Sequence, residues 1–282
     1  MSSHRMAGDA ETVRQLVRAA TLEVIPLRTA TDKLALIPPG TTISVTCSPK
    51  LGMSATLEYA AAARRSGLAV IPHLAARAIK DSSELEHIVA RLAELGIDHI
   101  YVVGGDADEP AGDYSSAGEL LEELDRSGHG FDSVGVACYP EGHPKIPDEV
   151  LLTELKRKQT FADYMVSQMC FDGTSLVDWL RHVRDSGVET PLRIGLAAPL
   201  KASKLVDLSM RIGVGTSLRY LTRQRGFVGN LLLGGTYRPE HLLHEIAGEV
   251  PPADLGISGV HLFSFNQVAD AVQWRDAMLG NS

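Results

Sequence analysis

The sequence predicts a single-domain (β/α)8 barrel, and three observations carry that prediction. Eight short apolar runs recur along 282 residues. Amphipathic stretches separate them, several stopping at glycine one or two residues before the next run. No G-x-G-x-x-G turn follows the first run, as it would in most open dinucleotide-binding sheets. A closed barrel of about 250 residues forms one domain, so 1–282 is expected to be one unit.

The runs are 21–27, 42–47, 69–74, 99–103, 133–138, 164–170, 192–197 and 259–263. Their Val, Ile and Leu content without strict polar alternation suits parallel strands covered on both faces. Residues 1–20 are charged and amphipathic and read as an N-terminal helical extension. Helices are expected over 54–66, 82–95, 147–160 and from 172 or 174 to 186, each opening on a Ser, Pro, Asp or Thr start signal. Residues 213–250 exceed one βα unit and should add a helical segment before the last strand.

The formal charge is −8, which disfavours nucleic acid and anionic membrane as partners. Neither an apolar run of membrane-spanning length nor a secretory leader is visible, so a cytoplasmic location is expected. Self-association into a homo-oligomer is compatible with the sequence. Cys47, Cys138 and Cys170 form no C-x-x-C pair and read best as packing residues. His241 and His244 have helical spacing but no third ligand near them in sequence, so no metal is expected.

Barrel active sites are built at the C-terminal ends of the strands. The polar residues expected there are Glu23, Thr46, His73, Asp106, the segment Tyr139-Pro-Glu-Gly-His143, Gln168 and Asn266. Glu23 lies in an apolar run, where a desolvated carboxyl makes a proton donor near neutrality; the alternative is a strand-end glutamate paired with Arg28 or Lys50. Asp106 follows a glycine pair and either meets a ligand or caps a turn. Gln168, an amide in an apolar strand, either reads a ligand edge or satisfies neighbouring backbone. Lys156-Arg157-Lys158 is either a phosphate contact or a solvated helix face.

The segment Gly135-Val-Ala-Cys-Tyr-Pro-Glu-Gly-His-Pro144 resembles the G-V-A-x-Y-P-E-x-H-P motif of methylenetetrahydrofolate reductases. Glu154-Leu-Lys-Arg-Lys158 and Phe161-Ala-Asp-Tyr-Met-Val-Ser-Gln-Met-Cys-Phe-Asp172 follow at the family's distances. Weaker likenesses cover Leu22-Glu-Val-Ile-Pro26, Ser44-Val-Thr46, Pro72-His-Leu74, Gly104-Gly-Asp106 and Val260-His-Leu-Phe-Ser-Phe-Asn266. The resemblance implies a barrel that interconverts 5,10-methylenetetrahydrofolate and 5-methyltetrahydrofolate, with NADH or NADPH as hydride source. Glu23 would then be the general acid/base at N10, and Asp106 and Gln168 would bind the pterin. Thr46, His73, Tyr139, Lys156 and Lys158 would line the cofactor.

Three departures fall at the flavin or substrate mouth. The family arginine of L-R-G-D is Gly104, the glycine-rich turn after strand two is Cys47-Ser-Pro-Lys-Leu-Gly52, and the arginine after the final T-L-N is Gln267. They point to FAD weakly bound or absent, with nicotinamide passing hydride directly to the folate. The competing readings are a pterin-binding methyltransferase-type barrel and a non-catalytic folate-binding barrel.

Overall fold

The computed structural model describes residues 3–211 and 235–280. Eight parallel strands close into a barrel in sequence order, each pairing with the next and β8 with β1. They are β1 (Thr21–Val24), β2 (Thr42–Val45), β3 (Ala69–Ala75), β4 (His99–Val103), β5 (Ser133–Cys138), β6 (Tyr164–Ser167), β7 (Leu192–Ala197) and β8 (Ile257–Phe263). The helices are α1 (Ser3–Arg18), α2 (Gly52–Arg65), α3 (Ser82–Glu94), α4 (Ala117–Ser127), α5 (Asp148–Lys158), α6 (Gly173–Asp185), α7 (Ala202–Arg211), α8 (Glu240–Glu249) and α9 (Val268–Leu279). None of the described helices is long and apolar enough to cross a membrane.

The main core lies between the sheet's outer face and the helices, where strand residues such as Ile43, Val102, Val136 and Ile194 meet Leu92, Leu120, Leu180 and Ile246. Burial of these apolar faces, at about 25 cal/mol per Å², drives the closure. Inside the barrel a smaller cluster of Ile71, Tyr101, Tyr164 and Val166 fills the lumen. The Arg193 guanidinium lies 4.0 Å above the Tyr164 ring and donates to Thr21 Oγ1 at 3.2 Å, so this cation is both stacked and hydrogen-bonded. Gly135 is where the Tyr164 ring crosses β5: a Cβ there would sit 2.3 Å from the ring, so no larger residue fits.

Local chemistry sets the helix starts. Asp81 and Asp172 accept from the backbone N–H of Glu84 and Ser175, and Ser116 forms a reciprocal capping box with Glu119. The expected helix over 54–66 begins two residues earlier, at Gly52, and those over 82–95 and 147–160 end within two residues of the expected points. Strands β1, β2 and β6 end two or three residues before the apolar runs do. Helix α1 occupies the expected N-terminal extension, and α8 lies in the segment expected to be helical before β8. Residues 212–234 of that segment lie outside the described residues.

Candidate active site

Glu23 is the third residue of β1, and the sheet register sets it beside Ser44 of β2 and Phe263 of β8. Its side chain points into the barrel mouth and is only 15% exposed. Oε2 lies 3.0 Å from Nε2 of His261, on β8, and 3.7 Å from Nε2 of His73, on β3. His73 Nε2 is hydrogen-bonded to Ser44 Oγ at 2.7 Å. Four strands, two of them adjacent to β1, thus converge on one carboxyl group. Of the two partners the sequence suggested for Glu23, Lys50 is exposed and the Arg28 side chain lies outside the described ones. The partner is instead a histidine that motif reading had passed over.

Burial governs the two histidines. His73 is 6% exposed, and desolvation brings its pKa down to about 4 despite the pull of Glu23, so at neutral pH its ring is uncharged. Its ring packs edge-on against Tyr101 at 4.6 Å. His261 is held between Tyr101 at 6.0 Å and Phe263 at 5.1 Å. Glu23, His73 and His261 also bring three potential metal donors within 4.8 Å of one another. The 3.0 Å Nε2–Oε2 contact and the serine on His73 Nε2 already use those donors as hydrogen-bond partners, and we read the group as two adjacent hydrogen-bonded pairs.

The backbone around Glu23 is pinned from the far end of the chain. Asn266 accepts from Ile25 N at 2.9 Å and donates to Ile25 O at 3.0 Å, while the Ser264 hydroxyl donates to Glu23 O. Asn266 O accepts from Lys33 Nζ at 2.7 Å. Phe265 and Asn266 adopt positive φ, 47° and 59°, a strained turn that these bonds sustain. Asn266 was expected among the mouth residues; at 6% exposure, both side-chain polar atoms are spent on backbone, so it is a clamp.

The opposite side of the mouth is open. Asp106 is exposed just past β4, in a loop fastened by Arg77, whose guanidinium donates to the carbonyls of Ala107, Asp108 and Ser115. Arg77 N also donates to Gly104 O at 2.9 Å. A Cβ on Gly104 would meet nothing within 4 Å, so the position of the family arginine is open space here. Tyr139 follows β5 with its ring edge-on to His143 at 5.0 Å; burial and the nearby Asp106 carboxylate push its phenol up to about 12. Glu141 accepts from Phe171 N at 3.1 Å and ties the β5 and β6 loops together. Gln168 Oε1 accepts from Met169 N at 2.8 Å, while its amide NH2 has no protein partner among the described residues. Of the two alternatives for Gln168, the structure shows the backbone one: its oxygen satisfies the Met169 N–H.

The residues expected at a cofactor divide. Thr46 Oγ1 is buried without a hydrogen-bond partner among the described residues. Lys158 is 8% exposed, with Nζ donating to Ala137 O at 2.8 Å and its charge disfavoured by desolvation. That departs from both sequence alternatives for this lysine: it is neither solvated nor directed at a phosphate. Lys156 is exposed on the outer face of α5. Cys138 and Cys170 are buried and Cys47 partly so, and His241 and His244 are exposed on α8.

The chain matches the family model "Methylenetetrahydrofolate reductase" over residues 24–210, well over half its length. Glu23 lies one residue before that stretch and His261 beyond it. It is 28% identical over 112 residues to Methylenetetrahydrofolate reductase 2 of Saccharomyces cerevisiae, an alignment covering 36% of this chain and 19% of that protein. Among solved structures it is similar to a candidate phosphonomutase of Burkholderia cenocepacia J2315, at 11% identity and TM-score 0.48 with 92% of each chain covered. A candidate lyase/mutase of the same organism aligns at 15% identity and TM-score 0.49, covering 99% of this chain and 86% of that one. With the family match and the motifs in order around one barrel mouth, the chain belongs to the methylenetetrahydrofolate reductase family.

Proposed function

We propose that this protein interconverts 5,10-methylenetetrahydrofolate and 5-methyltetrahydrofolate at the mouth of its barrel, with NADH or NADPH as the hydride source. The observation that carries the reading is a single buried carboxyl, Glu23, held by a histidine on one side of an otherwise open, polar mouth. A carboxyl so placed can give a proton to N10 of the bridged folate. The N10–methylene bond breaks, the five-membered ring opens, and the one-carbon unit becomes an N5 iminium that accepts hydride. In reverse the carboxylate removes the same proton, so one residue serves both directions.

Asp106 and the free amide of Gln168 suit the pterin ring, whose edge alternates donors and acceptors. Asp106 is exposed and Gln168 part-buried, and a bound ring would cover both.

The residues do not fit a tightly held flavin. The family's charged contact is replaced by Gly104, Lys158 spends its amine on Ala137, and His73 spends Nε2 on Ser44. Losing one charge-assisted hydrogen bond, about 1.5–3 kcal/mol, costs roughly one to two decades of affinity. Nicotinamide is accordingly assigned to donate directly to the folate, with Thr46 and Tyr139 beside it.

Protein freed of flavin and supplied with 5,10-methylenetetrahydrofolate should oxidise NADH or NADPH in one-to-one proportion to the 5-methyltetrahydrofolate formed. A methyltransferase-type or non-catalytic barrel would leave the nicotinamide unchanged. A strict requirement for added FAD would restore a flavin route.

A further inference from the structure

We infer that His261 is the positioning residue for Glu23, fixing on which carboxyl oxygen the transferable proton sits. The inference rests on the proposed reading for its kinetic consequence, but its geometry stands independently. Every described side-chain contact of Glu23 falls on Oε2, with His261 Nε2 at 3.0 Å and His73 Nε2 at 3.7 Å. Oε1 has no protein partner among the described residues. A protonated carboxyl carries its hydrogen on one oxygen. If His261 presents N–H at Nε2, Oε2 must accept, and the proton is driven to Oε1, the oxygen left for substrate. If His261 instead presented a lone pair at Nε2, the proton would be drawn to Oε2 and face the histidines, useless to a folate.

His73 cannot do this work. Its Nε2 is engaged by Ser44 at 2.7 Å, and 3.7 Å is too long for a hydrogen bond to Glu23. Its burial keeps it neutral, so it adds no fixed positive charge that would hold Glu23 as a carboxylate. The two histidines that approach the same oxygen thus differ in function: His261 orients, and His73 keeps the pocket dry and uncharged. The other ionisable group facing them is Tyr101, on β4, whose buried phenol is held protonated well above the usual tyrosine range. Tyr101 and Phe263 both pack against the His261 ring, and this crowding limits its rotation.

Two readouts test the assignment. Nitrogen-15 NMR of the histidine rings in wild-type protein, which needs no turnover, should show His261 as the Nε2–H tautomer, with its ring signals displaced in Glu23→Gln. An Nδ1–H tautomer would overturn the proposal even in an active enzyme. In kinetics, His261→Leu should lower kcat about tenfold or more with folate KM within about twofold. His261→Gln, whose amide can still donate toward Oε2, should recover kcat to within about fivefold of wild type. If His261→Leu fails to fold, His261→Asn, too short to reach Oε2, carries the same expectation. Wild-type kcat in whichever variant folds would overturn it. Absence of folate turnover in wild type, with the expected tautomer present, would instead count against the proposed activity and leave the positioning geometry standing.

Discussion

The two sides of the barrel mouth are built on opposite principles. On the side of β1, β2, β3 and β8, Glu23, Ser44, His73 and His261 are largely buried and joined in two hydrogen-bonded pairs, Glu23 with His261 and Ser44 with His73, with the backbone pinned by Ser264 and Asn266. On the side of β4, β5 and β6, Asp106 is exposed and the Gln168 NH2 has no partner among the described residues, while Arg77 and Glu141 fasten the surrounding loops rather than these side chains. A group that must move a proton gains from a dry, preset environment, since reorganising it during the reaction would raise the barrier. Groups that recognise a polar ring must be free to exchange water for ligand. On the proposed reading, the contrast assigns chemistry to one side of the opening and recognition to the other.

Substitutions should therefore act differently on the two sides. The largest effect is expected at Glu23. Glu23→Gln keeps the shape and should fold normally but lose at least about a hundredfold in folate-dependent turnover. Turnover within a few-fold of wild type would remove Glu23 from the chemistry.

The second effect concerns stability alone. His73 resists protonation in the folded chain until about pH 4, whereas the unfolded chain takes up that proton near its ordinary value. The unfolded state binds more protons between about pH 6.5 and 4, so stability contributed here falls as pH drops through that window, by up to about 3 kcal/mol. Urea unfolding of His73→Gln against wild type across that range should show the variant losing less on acidification; parallel losses would show that His73 does not titrate this way.

That dependence was not visible in the sequence, although much else was. The eight strands were legible because their apolar runs have no solvent face, and the capped helices because Asp172 and Pro147 mark their starts. Helix α4 was legible too, in Ser116-x-x-Glu119, but passed unread. His261 could not be singled out from local pattern: it sits in an apolar run like any barrel residue, and its partner lies 238 positions away in sequence, joined only when β8 closes on β1. Asn266 misled for the same reason, since the backbone it clamps belongs to the first strand.

On the recognition side, effects should be intermediate and confined to folate. Asp106→Asn and Gln168→Ala should each weaken 5-methyltetrahydrofolate binding about tenfold, with nicotinamide affinity within about twofold, as isothermal titration would measure. Equal losses for both ligands would erase the division between the two sides. The smallest effect separates the two lysines of α5. Lys158→Met removes the hydrogen bond to the Ala137 carbonyl and should cost about 1–2 kcal/mol of stability, whereas Lys156→Ala, at an exposed position, should stay within about 0.5 kcal/mol. Denaturation midpoints would decide between them.

The central claim, that a preset acid opens the folate for a hydride arriving directly from nicotinamide, is tested most directly by isotope transfer. Flavin-free wild-type protein is given nicotinamide deuterated at the transferable position together with 5,10-methylenetetrahydrofolate, and the product is weighed by mass spectrometry. The account predicts one deuterium in the methyl group of 5-methyltetrahydrofolate, formed with sequential kinetics, and its loss in Glu23→Gln. Unlabelled product, or ping-pong kinetics that appear only with added FAD, would contradict it.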